Sequence, residues 1–285
     1  MNQVPQETLA QLRAYFATKP SIIMAFLFGS RAKGIARTTS DWDIAVYFQP
    51  QNLQEIEYES ETRYQGEDAI AHDVERLLNR EVDFVVLNRA PAHLVATVLT
   101  RGVPLEIKKR GWYIKLLLRV TTIATEWRQF AQSYYLTYQR SRSLSEEDKL
   151  LLRRAILFIE SEMQDYDRFS RTTHVAYQTQ RPLGRELERW VENIINASLD
   201  IAKIVLASNK LNLPETYREL ILQLRATPHS FHDNTLEHLA RFVKLRNVLA
   251  HEYLDIRWDH IKEFLQQGEP VMNDFLVSIK KLLEK

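Results

Sequence analysis

The chain has 285 residues, 45% of them apolar, which is enough for two domains that each bury a core. Its 38 Lys and Arg balance 37 Asp and Glu, excluding a protein that coats nucleic acid by bulk charge, although a local basic groove stays open. With no cysteine, disulfides, zinc–thiolate sites and thiol catalysis are excluded, so any metal must be held by oxygen or imidazole.

Residues 6 to 18 carry a helical period. "SIIMAFLF" and "DWDIAVYF" then read as β-rich runs, 66 to 79 as a helix, "EVDFVVL" as a third strand and "PAHLVATVLTRG" as a further helix. Short strands separated by helices predict a mixed α/β layer. From Trp112 through Arg181 there is neither Gly nor Pro, and apolar residues such as Leu151, Ala155, Phe158 and Ile159 recur at threes and fours, predicting long helices. Within that stretch "RSRSLSEEDK" is the most polar interval. Ser145, followed by three acids, reads as a helix N-cap, and the domain boundary is expected there, with one domain over 1–140 and a second over 145–285. Helical patterns at 184–208, 214–225, 233–252 and 270–284 predict an antiparallel helical bundle for the second. The start of the chain lacks a signal-peptide pattern, and no apolar run approaches the roughly 20 residues that span a bilayer, so a soluble, cytoplasmic protein with no membrane partner is expected.

The chemistry concentrates in "FLFGSRAKGIARTTSDWDIAVYF". Side chains alternate on a strand, so Asp41 and Asp43 are expected on one face with Trp42, Ile44 and Val46 on the other. Two carboxylates that close repel unless a cation lies between them, and a hard divalent ion such as Mg²⁺ prefers oxygen ligands. Asp83 offers a third carboxylate at the same depth of another strand. Three acids are enough for two ions roughly 4 Å apart, the arrangement that serves phosphoryl chemistry. Gly29 lets the backbone turn sharply and leaves Ser30 and nearby amides free for phosphate oxygens. Taken singly, a DxD is an exposed strand end or turn, and a Gly-Ser pair is a turn.

Together, "GSRAKG", the ten residues between Ser30 and Asp41, the DxD and the third Asp in "VDFVV" resemble the polymerase-β-like nucleotidyltransferases, and among them the minimal nucleotidyltransferases. The resemblance covers about residues 1 to 110. It implies that Gly29 and Ser30 bind the triphosphate, that Asp41, Asp43 and Asp83 hold two Mg²⁺ ions, and that Asp83 also helps activate the acceptor hydroxyl. The reaction implied is in-line attack on the α-phosphate of ATP, releasing pyrophosphate.

Near the other end, "LEHLARFVKLRNVLAHEYLDI" carries a helix-spaced stripe of Leu239, Phe242, Arg246, Leu249 and Tyr253. Burying an unpaired guanidinium is costly, so the stripe is expected to meet an acid or a surface that uses the charge. His251 falls about 140° around an ideal helix from Arg246, so one site takes both only if the helix distorts or a second chain contributes. As a unit, "RNVLAHEY" is similar to the Arg-x4-His-x-Tyr motif of HEPN-domain toxins, partners of the minimal nucleotidyltransferase antitoxins, and the similarity runs over about 145 to 285. It implies that Arg246 stabilises charge on the scissile phosphate of an RNA substrate, that His251 moves protons with Asn247 in support, that the site forms in a homodimer, and that Tyr253 accepts AMP.

The reading that follows is a fused toxin and antitoxin: an α/β polymerase-β-like nucleotidyltransferase domain silencing an all-α HEPN bundle. Two alternatives stand beside it. An aminoglycoside nucleotidyltransferase also places a helical bundle behind this catalytic domain, but leaves "RNVLAHEY" unexplained; a nucleotide-sensing assembly module would catalyse nothing. The basic "KKRGWYIK" reads as a solvated helix end more readily than a contact for RNA or ATP. His229, His232, His238 and Asp233 are too irregularly spaced for a metal, and the aromatics of 112–138 read as packing.

Overall fold

The computed structural model describes residues 4–35, 37, 40–50, 56–57, 62–140, 143–229, 231–251 and 254–284, apart from the side chains of 247, 248, 250, 251 and 254–256. By compactness the chain divides into residues Met1–Arg128 and Gln129–Lys285.

The first unit holds four strands: β1 (Ile22–Phe28), β2 (Trp42–Phe48), β3 (Val82–Val86) and β4 (Val103–Ile107). Their order is β3-β2-β1-β4, with β1 antiparallel to both β2 and β4 and β2 parallel to β3. The helices are α1 (Gln6–Ala17), the single turn α2 (Gly29–Ala32), α3 (Glu67–Leu78), α4 (Ala92–Arg101) and the start of α5 (Arg110–Arg140). Alternation decides which residues go where. Trp42, Ile44, Val46 and Phe48 share a core with Leu12 and Phe16 of α1 and with Ile70 and Val74 of α3. On the opposite side, Tyr47 accepts a hydrogen bond from Trp112 Nε1 at 2.9 Å and Phe26 stacks on Tyr113. Asn88 closes the far end of the sheet, its side chain accepting from Phe48 N at 2.8 Å and donating to Phe48 O at 3.1 Å.

The fourth strand is not announced by the sequence. "VPLEI" contains a proline, which has no N–H for a ladder, and β4 tolerates Pro104 because it lies at the sheet edge, beside a register shift opposite Ala25 and Phe26.

The second unit is helical: the rest of α5, α6 (Glu146–Met163), α7 (Tyr166–Ser170), α8 (His174–Thr179), α9 (Arg181–Ser208), α10 (Tyr217–Leu222), α11 (Asp233–Phe242), α12 (Lys244–His251) and α13 (Leu254–Leu283). Ser145 caps α6 as expected, accepting from Asp148 N while Asp148 accepts from Ser145 N, a reciprocal capping box. Trp190 of α9 anchors the core, packing on Phe169 and Phe264, with its indole N–H donated to Glu162 O at 2.6 Å. Tyr134 is fully buried and donates to Leu211 O at 2.7 Å, so this aromatic of the 112–138 run is packing.

Two helical expectations are corrected. The pattern at 233–252 is two helices, because the chain turns at Val243, whose carbonyl accepts from Arg246 N at 3.2 Å. The helix expected to begin at Pro270 is the second half of α13, which runs through that proline. A proline inside a helix removes one backbone donor. Tyr166 donates to the Leu265 carbonyl at 2.6 Å, one residue before the Gln266 carbonyl that the proline leaves without its helical donor.

Candidate active site

Gly29 follows β1 at φ +70°, where residues with a side chain are strained. It sits there because Asp43 fills the space. A Cβ on Gly29 would lie 2.0 Å from Asp43 Oδ2 and 2.5 Å from its Cγ. The antiparallel register pairs Phe28 with Asp43, so the turn after β1 wraps directly onto the carboxylate. Ser30, the next residue, brings its backbone N–H near enough to Asp43 to favour the ionised carboxylate.

The parallel pairing of β2 with β3 sets Asp83 opposite Asp43 in register, as Trp42 is opposite Val82. Asp41 lies one residue before β2 and is exposed, Asp83 is exposed, and Asp43 is half-buried between them. Burial is the main cause pushing the Asp43 carboxyl above the usual carboxylate range; the charges of Asp83 and then Asp41 push the same way, and Arg31 and the Ser30 N–H oppose them. Three carboxylates brought to neighbouring backbone positions form a donor set that a hard divalent cation suits, since it prefers oxygen and relieves their repulsion. Among the described residues no three His, Asp or Glu side chains converge closely enough to enclose an ion, so the fit is one of charge and register.

Arg31 was not singled out by spacing or periodicity. Its Nε donates to Asp41 O at 3.0 Å, its Nη2 donates to Ser40 O, and its guanidinium lies 4.4 Å from the Trp42 ring centre. The signal was its place in "GSRAKG", directly after the serine.

In the helical unit, Arg246 is half-buried on α12. Its Nε donates to Asn196 Oδ1 of α9 at 3.1 Å, and the guanidinium stands 4.8 Å from the Tyr217 ring centre of α10. An amide oxygen and an aromatic face are thus among the groups that hold the guanidinium. Nothing in the pattern around Asn196 or Tyr217 foretold this, because the contacts join residues 50 and 29 positions apart. Asn247 and His251 lie on α12 by backbone, and Tyr253 lies outside the described residues.

His232 pairs with Asp274 at 2.8 Å and His238 with Arg241, while Lys109 donates to Gln49 at 2.6 Å.

These two constellations coincide with two families. Residues 10–110 match the family described as "Polymerase beta, Nucleotidyltransferase", and residues 159–279 match "Ribonuclease HepT-like". The first stretch is thus similar to the polymerase-β nucleotidyltransferases and the second to the HepT-like ribonucleases. Among curated proteins none matches the chain. Solved structures similar to parts of it include a toxin–antitoxin with AMP-PNP, 20% identical over 46% of this chain and 94% of that one with a TM-score of 0.35. The toxin–antitoxin MntA-HepT is 18% identical over 45% and 94%, with a TM-score of 0.33. Among the described residues no helix is long and apolar enough to cross a membrane.

Proposed function

We propose that this protein is a toxin and its antitoxin in one chain, the N-terminal domain transferring AMP from ATP to Tyr253 and thereby silencing an RNase in the HEPN domain. The observation that carries the transfer reading is the seating of the Asp43 carboxylate against Gly29, where no other residue leaves room, with Asp83 in register beside it.

In this reading Gly29 and Ser30 hold the triphosphate, and Asp41, Asp43 and Asp83 hold two Mg²⁺ ions. When bound, those ions offset charge on the phosphate oxygens and on the departing pyrophosphate. The Tyr253 oxygen attacks the α-phosphorus. A phosphorus–oxygen bond forms to the phenol as the bond to the β-phosphate's bridging oxygen breaks; pyrophosphate carries away the electron pair, and Asp83 takes the phenolic proton. The product keeps one phosphate charge on the side chain, seven residues from Arg246 and so two helical turns along an ideal helix. That charge pairs with Arg246 or repels the RNA backbone, and either closes the site. Before modification, Arg246 stabilises the scissile phosphate, His251 moves protons, Asn247 supports them, and a homodimer completes the site.

Incubation with ATP and Mg²⁺, read by intact mass, is expected to add AMP, mapped by peptide mass spectrometry to Tyr253. Asp43→Asn is expected to add none while keeping its circular dichroism spectrum. Undiminished transfer in the Asp41→Asn, Asp43→Asn double variant overturns the nucleotidyltransferase assignment, and AMP on another residue overturns the acceptor.

A further inference from the structure

Gly29, Ser30 and Arg31 are consecutive, beside the acidic pair. Gly29 leaves space for the Asp43 carboxylate, Ser30 follows it in the same turn, and Arg31 reaches the backbone of Ser40 and Asp41. We propose that Arg31 is a positioning residue for the metal-holding carboxylates: its guanidinium braces the segment that brings Asp41 to β2, and it is not a ligand of the triphosphate. This rests on the nucleotidyltransferase reading.

An arginine placed after a phosphate-binding Gly-Ser turn would ordinarily be assigned to phosphate. The geometry points elsewhere. The Nε and Nη2 edge, the edge with which arginine makes paired hydrogen bonds, is directed at the carbonyls of Ser40 and Asp41, and the plane lies over Trp42. Asp41 precedes the strand, so ladder hydrogen bonds do not hold it as they hold Asp43. The chain ahead of it has a local tie, with Ser40 N donating to Arg37 O at 3.1 Å and Arg37 N to Ser40 Oγ at 2.9 Å. Arg31 connects that segment to the turn after β1, ten residues back from Asp41 in sequence. Trp42 completes the brace, because its ring is buried in the core under α1 and α3 and gives the guanidinium a fixed floor.

A lysine keeps the charge but cannot donate to two carbonyls along one edge while lying flat on an indole. The test compares the parent chain, Arg31→Lys and Asp43→Asn by Mn²⁺ binding without nucleotide, read by electron paramagnetic resonance, and by ATP kinetics at saturating metal. Arg31→Lys is expected to weaken Mn²⁺ binding roughly tenfold, the factor expected for one lost hydrogen bond to a charged group. It should lower kcat and leave the KM for ATP within about twofold. Arg31→Ala is expected to recover Mn²⁺ affinity when guanidinium ion is added and not when methylammonium is added. A raised KM with unchanged Mn²⁺ affinity assigns Arg31 to the triphosphate and overturns the inference, as does Mn²⁺ binding by Arg31→Lys equal to that of the parent while Asp43→Asn has lost it. Equal binding by the parent and Asp43→Asn instead removes the metal site, and with it the reading on which the inference rests.

Discussion

Replacing Gly29 by alanine adds a single methyl group, and the structure states what it would meet. The backbone stands at φ +70°, which costs a residue bearing a Cβ about 1–2 kcal/mol. The new Cβ would also lie 2.0 Å from Asp43 Oδ2, well inside contact distance, so the carboxylate must move. The two effects separate in a double-mutant cycle. In an Asp43→Ala background the nearest Asp43 atom left is Cβ, 3.1 Å from the added methyl, so the clash is nearly gone and only the backbone strain remains. Gly29→Ala should therefore destabilise the parent by more than it destabilises Asp43→Ala, with the smaller value near 1–2 kcal/mol, a fall of roughly 3–10 °C in melting temperature. Activity should fall further than stability, since an ångström of misplacement at a reacting centre costs on the order of 10²-fold. Thermal unfolding of the four proteins, with AMP transfer measured at a temperature where all are folded, tests both halves. Equal destabilisation in the two backgrounds, or parental transfer by Gly29→Ala, refutes the reasoning.

Arg246→Ala or His251→Ala should remove RNA cleavage by unmodified protein, on the order of 10²–10⁴ in rate for a lost proton-transfer group, and leave adenylylation by the other domain intact; cleavage assays beside intact-mass measurement check this, and equal cleavage without His251 sinks the toxin assignment. Tyr253→Phe should be more toxic than the parent when expressed in cells, and the toxicity should vanish when His251 is also replaced; growth curves of the three strains decide it. His260 offers a pH prediction. Burial holds its imidazole below the ordinary histidine range, with Lys244 acting the same way and Glu263 and Asp259 opposing. A histidine whose folded pKa is depressed contributes stability that is complete above its unfolded pKa and is lost as pH falls through the folded one. The parent should lose more stability than His260→Gln on acidification from pH 8 to 5, read from urea midpoints, and parallel losses would remove His260 as the cause.

The sequence by itself determined three of the four strands, most of the helices, and the glycine and aspartates of the candidate site. A period of two or of 3.6 is a local property, set by each residue's choice between core and water, so "DWDIAVYF", "EVDFVVL" and the Ser145 cap were legible without any partner. Gly29 and the aspartates were legible because the chemistry demands those residue types at that spacing. Partnership was not. That Asp83 stands beside Asp43 follows from β2 and β3 being parallel neighbours, a pairing set by distant hydrophobic contacts and connections, which no window along the chain contains. β4 was invisible because Pro104 and Glu106 weaken its pattern, and only an edge position makes the proline tolerable. The turn at Val243 and the continuation of α13 through Pro270 were likewise not carried by any local period. The roles of Arg31 and Arg246 were decided by tertiary structure alone. A guanidinium takes whatever acceptors and aromatic faces the fold brings within reach, and here those are the carbonyls leading into β2 for one and Asn196 with Tyr217 for the other.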